Sequence, residues 1–239
     1  MWSLFCIMSG LSCLFVPVTG ITRPSSRSVW DRDSTVQFYA RREGLLPAEE
    51  NLFSRRLSHA RSILDLGVGG GRTTPFLAPG RHYLGVDLVQ GMVDTCRAKY
   101  PELDFRTGDA ADLSWCRSHS FDAVVFSYNG LDYLFPDLER RSALQEIHRV
   151  LRPSGTFIFS RHDPVGGVGR RRFFRALRLG YRGGYALDHL NGGWQTTHYA
   201  TPMRVTSELD AHGFSVLDVV PDGPGIRPAW WYYAARRLD

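Results

Sequence analysis

The architecture of this chain is set by residues 63–72, which read ILDLGVGGGR. An apolar run of strand length is followed by glycines at every second position and by a helix expected to begin near Thr73. Gly67 and Gly69 let the backbone turn sharply at positive φ, and without a Cβ atom the chain can approach a ligand closely. The free N–H groups at the start of the following helix point at that ligand. The stretch therefore predicts a small-molecule site beyond the carboxyl end of a strand.

Short apolar runs of strand length recur along the chain and alternate with segments of helical spacing. The runs are Ser62–Leu66, His82–Val86, Asp104–Arg106, Phe121–Ser127 and Thr156–Ser160. Before the last run, Leu144, Ile147 and Leu151 share one helix face, and Pro153-Ser154-Gly155 ends that helix. Strands that alternate with helices predict an α/β fold with a doubly wound, mostly parallel sheet and helices on both faces. The length of 239 residues suits one such domain with an elaborated end.

The spacing of the glycines disfavours two other nucleotide-binding turns. A dinucleotide turn needs Gly-x-Gly-x-x-Gly or Ala, and its last position holds Arg72 or Thr74 in the two possible registers. A phosphate-binding P-loop needs Gly-Lys followed by Ser or Thr, and no such run follows the turn. A nicotinamide dehydrogenase would also need a set of hydride-transfer residues, and none is obvious.

Acidic residues stand at three successive strand ends. Asp65 lies in the first strand, and Asp87 follows 22 residues later at the tip of the second. A carboxylate at that tip can accept two hydrogen bonds from a ribose diol. Asp109 follows the third strand, where it can meet the far end of the same ligand.

Together these residues resemble the motifs of class I S-adenosylmethionine-dependent methyltransferases over roughly residues 61–160. Asp65–Gly71 resembles the first motif, Phe121–Ser127 the fourth strand, and Glu146–Gly155 the helix and turn before strand five. Ser154 departs from the pattern, because the family often has a second glycine there. The resemblance implies seven strands with the last one antiparallel, and Phe214–Val220 and Trp230–Ala235 would supply strands six and seven.

The resemblance also implies S-adenosylmethionine as the cofactor. Asp87 would bind the ribose, Leu88 would lie beside the adenine, and Gly108-Asp109-Ala110 would contact the adenine amino edge. The full set of expected cofactor residues is Asp65, Gly67, Gly69, Gly71, Asp87, Leu88, Asp109, Ala110, Ser127 and Tyr128.

The loop after strand four, Ser127-Tyr128-Asn129-Gly130, faces the transferred methyl group in the family. Tyr128 and Asn129 are expected to border the methionine moiety, although Asn129-Gly130 could equally be an ordinary turn before a helix. The loop lacks the Asn/Asp-Pro-Pro-aromatic signature of enzymes that methylate amide or nucleobase amino groups. A DNA adenine substrate is therefore disfavoured.

His162 follows strand five at the expected rim of the site, and with Asn129 it is the catalytic candidate. Its side chain could deprotonate a hydroxyl, since a histidine pKa lies near neutrality; the alternative is a solvated loop histidine. Methyl transfer is a direct displacement that needs an aligned nucleophile in a dry site. It requires no metal, and no metal site is expected.

The strand–helix pattern stops after Ser160, and residues 161–205 are predicted to form a cap without clear strands that selects the acceptor. Seven arginines stand in 161–182, which suggests either an attraction for an anionic substrate or membrane surface, or a basic helix packed on the domain. Four aromatic residues of the cap could wall a substrate pocket or simply pack: Tyr181, Tyr185, Trp194 and Tyr199.

Charge and composition favour a small-molecule acceptor over nucleic acid. The formal net charge is +5, but Lys99 is the single lysine among 29 basic residues, which indicates codon bias more than selection for phosphate contacts. Nucleic-acid or protein methylation, or a non-catalytic partner subunit, are the alternatives. The intact Asp65, Gly67, Gly69 and Asp87 argue against the non-catalytic one. The four cysteines form no Cys-x-x-Cys pair, which is typical of reduced thiols.

The N-terminal 21 residues carry no charged side chain, and no positive segment precedes them as a signal peptide requires. Residues 22–29 read as a Pro/Ser linker. Residues 1–28 are thus expected to be a disordered leader or a weak membrane anchor, and residues 29–239 the methyltransferase domain of a cytoplasmic protein. The oligomeric state stays open.

Overall fold

The computed structural model describes residues 27–164, 184–190, 193–223 and 228–239. The nine strands of this part are β1 Ser62–Leu66, β2 His82–Asp87, β3 Asp104–Thr107, β4 Phe121–Phe126, β5 Leu151–His162, β6 Tyr185–Leu190, β7 Gly193–His198, β8 Phe214–Pro221 and β9 Trp230–Arg237. The α-helices are α1 Arg27–Trp30, α2 Asp33–Ala40, α3 Pro47–Arg56, α4 Thr74–Leu77, α5 Gln90–Lys99, α6 Asp137–Val150 and α7 Pro202–Asp210. A 3₁₀ helix spans Gly130–Tyr133.

Seven strands form one sheet in the order β3-β2-β1-β4-β5-β9-β8. Strands β1 to β5 pair in parallel, whereas β9 runs antiparallel to both β5 and β8. The predicted doubly wound sheet with an antiparallel last strand is therefore confirmed. The strand order reverses between β1 and β4, so a crevice for a ligand opens beyond their carboxyl ends.

The core lies on both faces of this sheet, because alternate residues of the central strands point in opposite directions. Leu64 and Phe126 belong to an apolar cluster that includes Leu144 and Ile147 of α6. Their strand neighbours belong to a second cluster, with Leu52 and Phe53 of α3, on the other face. Helix α6 ends at Val150, so Leu151 begins β5 and does not continue the helix face as predicted.

The insertion before β8 contains an antiparallel hairpin, which corrects the prediction that it has no clear strand. Strands β6 and β7 pair only with each other, with Tyr185 opposite His198 and Asp188 opposite Gln195. The polar side chains of this hairpin hide its strand character, since strands are recognised from apolar alternation. Most of the Arg-rich segment, including the predicted basic helix and Tyr181, lies outside the described residues.

The N-terminal leader also lies outside the described residues, apart from the start of α1 at Arg27, two residues before the predicted domain boundary. In the described part of the chain, no helix is both long and apolar enough to cross a membrane. Cys96 and Cys116 are buried free thiols.

Helix α2 presses directly on the Gly-rich turn at Gly70. A Cβ atom at this position would lie 2.4 Å from the carbonyl oxygen of Tyr39 and 2.6 Å from the backbone nitrogen of Ala40. The ammonium of Lys99 donates hydrogen bonds to the carbonyl oxygens of Gly70, at 2.8 Å, and of Ala40. Backbone contact thus requires a glycine here, and the single lysine of the chain joins the two segments.

We expect Gly70→Ala to displace α2 from the turn, because backbone atoms cannot give way as a flexible side chain can. The free energy of unfolding should fall by about 1–3 kcal/mol, which lowers Tm by several degrees, and tryptic cleavage at Arg41 and Arg42 should accelerate. Gly91→Ala is the control, since its Cβ would meet α2 only through the Val36 side chain, at 3.3 Å. Equal behaviour of the two variants would contradict the close-approach role of Gly70.

Candidate active site

A single cleft opens beyond the carboxyl ends of β1, β2 and β4, where the sheet topology predicts a ligand. Nine of the ten cofactor residues expected from the sequence line it: Asp65, Gly67, Gly69, Asp87, Leu88, Asp109, Ala110, Ser127 and Tyr128. Gly71 is the exception, because a Cβ there would face Tyr100 and Cys96 of the α5 region instead. Gly71 therefore serves the packing of the turn and not its ligand-facing side.

The glycines of the turn adopt the expected conformation. Gly67 and Gly69 have φ values of 61° and 56°, which confirms the predicted positive φ. A Cβ at Gly67 would lie 2.8 Å from the Phe126 ring, whereas Gly69 has only distant neighbours. The N–H of Gly69 donates to Oδ2 of Asp87 at 2.8 Å, so the turn and the tip of β2 are held together.

Two carboxyl groups in the cleft, the buried Asp65 and the half-buried Asp87, have raised pKa values. Burial raises the pKa of Asp65 to about 6, against the lowering effect of hydrogen bonds from the hydroxyls of Thr73 at 2.7 Å and Tyr83 at 2.9 Å. Burial likewise raises the pKa of Asp87, whose Oδ1 accepts the N–H of Val89 at 3.0 Å. Desolvation is the cause in both cases, because it disfavours the charged form.

Sequence reasoning missed a buried ion pair beneath the turn. Both carboxylate oxygens of Glu49 accept hydrogen bonds from Arg72 at 2.6 Å, and Glu49 also accepts one from Ser127 Oγ. From the sequence, Arg72 is interpreted only as the residue that blocks a dinucleotide turn. No spacing rule links positions so far apart, so only the folded chain reveals the pair.

The N-terminal helices α1 and α2, with the residues just after α2, supply the remaining wall of the cleft. Trp30, Tyr39 and Arg42 line it. The guanidinium of Arg42 donates to Tyr128 Oη at 3.0 Å and lies 4.7 Å from the centre of the Phe38 ring. Arg42 therefore brings a positive charge to the cleft beside the loop that follows β4.

That loop has two consecutive residues in the left-handed region, Tyr128 with φ 61° and Asn129 with φ 66°. The N–H of Asn129 donates to the buried Ser160 Oγ at 2.8 Å, which holds the loop against the end of β5. A Cβ at Gly130 would overlap the Phe126 ring, so a glycine is needed there. Such strain in non-glycine residues concentrates at functional sites.

His162 is the last residue of β5 and is buried, so it is not a solvated loop histidine. Its Nδ1 lies 2.8 Å from Asp132 Oδ2, and its Nε2 lies 3.4 Å from the Asn129 side-chain nitrogen. Asp132, which sequence analysis missed, is buried and also pairs with Arg161. When the Nδ1–H of a neutral His162 donates to the Asp132 carboxylate, its Nε2 carries the lone pair.

The aromatic residues of the cap separate into two groups. The Tyr199 ring is buried with its centre 5.5 Å from that of His162, and Tyr133 and Trp230 lie about as close, at 5.9 and 6.2 Å. Trp194 is 43% exposed and packs on His189. Arg161 contributes no exposed charge to the cap, because it is buried between Asp132 and Glu208.

Comparison with known proteins gives a consistent picture. Residues 63–155 match a family model described as a methyltransferase domain. A probable S-adenosylmethionine-dependent methyltransferase of Mycolicibacterium smegmatis is 33% identical over 47% of this chain and 46% of its own length. A demethylmenaquinone methyltransferase of Clavibacter sepedonicus is 28% identical over 73% and 76%, respectively. The chain thus spans about half the length of the first of these curated relatives.

Solved structures share the fold. An S-adenosylmethionine-dependent methyltransferase from Methanosarcina mazei has a TM-score of 0.68 at 20% identity, covering 81% of this chain and 98% of that one. The 1,6-didemethyltoxoflavin-N1-methyltransferase of Burkholderia thailandensis, with S-adenosylhomocysteine bound, has a TM-score of 0.61 at 22% identity, covering 89% and 82%.

The chemistry of the cleft fits S-adenosylmethionine as the cofactor. The glycine turn leaves room beside the backbone, Asp87 offers a carboxylate at the tip of β2, and Arg42 offers positive charge for an amino-acid carboxylate. The fold, the match to a methyltransferase domain and the relatives all agree with S-adenosylmethionine as the cofactor. Residues 63–155 of this chain are therefore a methyltransferase domain, and the fold around them is that of S-adenosylmethionine-dependent methyltransferases.

Proposed function

We propose that this protein transfers the methyl group of S-adenosylmethionine to a hydroxyl of a flat small molecule, and that His162 removes the hydroxyl proton. The observation that carries the proposal is the buried Asp132–His162 pair, whose Nε2 is left as a base beside Asn129. S-adenosylmethionine supplies an electrophilic methyl carbon on a good leaving group. The chain must then align the acceptor, exclude water and accept the proton.

The cofactor is proposed to lie along the cleft from the turn to the end of β3. Asp87 accepts hydrogen bonds from the ribose diol, and Leu88 with Asp109-Ala110 contacts the adenine. Asp65 and the Gly67–Gly69 turn receive the ammonium end of the methionine moiety, beside Ser127 and Tyr128. Arg42 neutralises its carboxylate. All these residues line the one cleft, which supports the assignment.

A small, flat acceptor is supported by the surroundings of His162. The rings of Tyr133, Tyr199 and Trp230 approach it from different elements, and aromatic walls favour planar ligands. Relatives named as demethylmenaquinone and didemethyltoxoflavin methyltransferases also carry the names of small molecules. Their acceptors differ from each other, so the names support the class of acceptor and not its identity.

Asp87→Ala should weaken binding of S-adenosylhomocysteine roughly ten- to hundredfold, because charge-assisted hydrogen bonds to the ribose contribute about 1.5–3 kcal/mol. Titration calorimetry measures the change directly. Asp94→Ala removes an exposed carboxylate of α5 and is the matched control. Unchanged affinity in a folded Asp87→Ala variant would show that this carboxylate does not hold the ribose.

Affinity for S-adenosylhomocysteine should rise as the pH increases through about 6. The raised pKa of Asp65 means that the free protein holds a proton on this group at low pH, and the ligand's ammonium favours the ionised form. Binding therefore releases a proton and improves as the carboxyl ionises. Calorimetry between pH 5 and 8 in Asp65→Asn should show a flatter profile. An unaltered profile in that variant would separate Asp65 from the ammonium.

His162→Gln should lower kcat for a hydroxylated aromatic acceptor by about 10²- to 10⁴-fold while the affinity for S-adenosylhomocysteine stays within twofold. Asp132→Asn should shift the pH profile of kcat, because an amide does not hold the same tautomer of His162. A labelled-cofactor screen of phenols with mass detection supplies the acceptor. His189→Gln, on the exposed side of the hairpin, is the control. Full activity of His162→Gln would exclude the proposed base.

A further inference from the structure

The hairpin of the cap carries a buried polar surface on one of its two faces. Asp188 of β6 and Gln195 of β7 stand directly opposite each other, so their side chains share a face, and Thr197 follows two residues later on the same face. Asp188 is 8% exposed, and Gln195 and Thr197 are each 1% exposed. We call these three residues the hairpin polar face.

This face adjoins the proposed acceptor site. The hydroxyl of Tyr199 donates to Asp188 Oδ2 at 2.6 Å, and the ring of the same tyrosine lies against His162. Gly193 belongs to the same face, and a Cβ on it would lie 2.8 Å from Val29 Cγ2 of α1 and 3.0 Å from Nη2 of Arg32. The next residue of α1, Trp30, lines the cofactor cleft. The hairpin polar face therefore lies beside His162 at Tyr199 and beside α1 at Gly193.

The groups on and beside this face include three buried oxygens that have no hydrogen-bond partner in the described part of the chain. Within the described residues, Gln195 Oε1, Thr197 Oγ1 and, beside His162, Asn129 Oδ1 are buried without a hydrogen-bond partner. Asp188 accepts one hydrogen bond, from Tyr199, and no cationic side chain of the described segments lies within ion-pair distance of it. A buried carboxylate and buried amide oxygens are unfavourable unless donors or a cation compensate them.

We propose that the hairpin polar face binds a protonated amine of the acceptor while the acceptor's hydroxyl lies at His162. An ammonium group brings three donors and one positive charge, which matches the carboxylate of Asp188 and the free oxygens around it. The proposal deepens the proposed function and rests on it for the position of the hydroxyl. Asp188 is then a specificity-determining residue and takes no part in the proton transfer.

This assignment differs from the anionic acceptor suggested by the Arg-rich composition of the cap. Arg161, the one arginine of residues 161–182 in the described part of the chain, is already neutralised by Asp132 and Glu208. On the hairpin polar face the charged group is the carboxylate of Asp188, whose hydrogen-bond donor Tyr199 lies against His162. Composition counts arginines wherever they lie, whereas recognition depends on the groups that face the ligand.

Three phenols that differ in the charge of one substituent test the proposal: tyramine is cationic, 4-ethylphenol is neutral, and 3-(4-hydroxyphenyl)propionate is anionic. Binding to the full chain saturated with S-adenosylhomocysteine is measured by tryptophan fluorescence and calorimetry. We expect tyramine to bind at least tenfold more tightly than 4-ethylphenol, and the anionic phenol to bind most weakly. Equal binding of all three, or preference for the anion, would overturn the amine site.

Asp188→Asn removes the charge and keeps the shape of the side chain. It should weaken tyramine binding at least tenfold and leave 4-ethylphenol and S-adenosylhomocysteine within twofold. Asp210→Asn is the matched control, because Asp210 is an exposed carboxylate on α7. Equal loss of both phenols in Asp188→Asn would assign Asp188 to the stability of the hairpin and overturn the proposal. If that variant does not fold, the relative affinities of the unaltered protein for the three phenols still support or contradict the amine site.

Turnover with labelled S-adenosylmethionine separates the two proposals. Selective binding of tyramine without methylation at its hydroxyl would leave the amine site standing and contradict the role of His162. Methylation of all three phenols at similar kcat/KM would do the reverse, since it would support the base and exclude amine recognition by Asp188.

Discussion

The buried pairing of Glu49 with Arg72 is the interaction on which the site depends most. Glu49 has no exposed surface, and its carboxylate joins α3 to the Gly-rich turn through Arg72 and to the end of β4 through Ser127. Tyr232 of β9 reaches the same carboxylate at 3.4 Å. Four segments from both halves of the chain thus meet at one charge. Removing one partner of such a pair generally costs about 3–5 kcal/mol, because the other is left buried and unpaired.

A second buried charge organises the acceptor side in the same manner. Asp132 accepts both the backbone N–H and the Nδ1–H of His162 and is compensated by Arg161, which Glu208 shares. The base is therefore placed by a network that spans the 3₁₀ helix, β5 and α7. The two networks lie on either side of the loop at Tyr128 and Asn129, and its left-handed backbone is held between them. Rigid support of this kind is what orientation-based catalysis requires.

The hairpin of the cap, which is proposed to select the acceptor, lies next to these two networks without joining the seven-stranded sheet. Strands β6 and β7 pair only with each other, yet Tyr199 links the hairpin to His162, because its hydroxyl donates to Asp188 and its ring lies against the His162 ring. The same sheet can then serve different acceptors when the hairpin changes, because Asp188 and Tyr199 of the proposed acceptor site lie on the insertion, whereas the proposed base His162 and the proposed cofactor residues lie on or just after strands of the sheet. Relatives named for unrelated small molecules are consistent with this division.

The cofactor half of the molecule could be predicted from the sequence, because its residues are close neighbours in the chain. A strand, a turn that only glycine can adopt, and acids at successive strand tips are all local patterns, and the order of βα units determines which strand ends meet. The buried polar pairs beneath the turn and around the proposed base could not be predicted in the same way. The partners in the pairs Glu49–Arg72, Asp132–His162 and Asp188–Tyr199 come into hydrogen-bond contact only after the chain has folded. Buried polar partners follow from three-dimensional proximity, and no periodicity in the sequence records which donor will satisfy which acceptor.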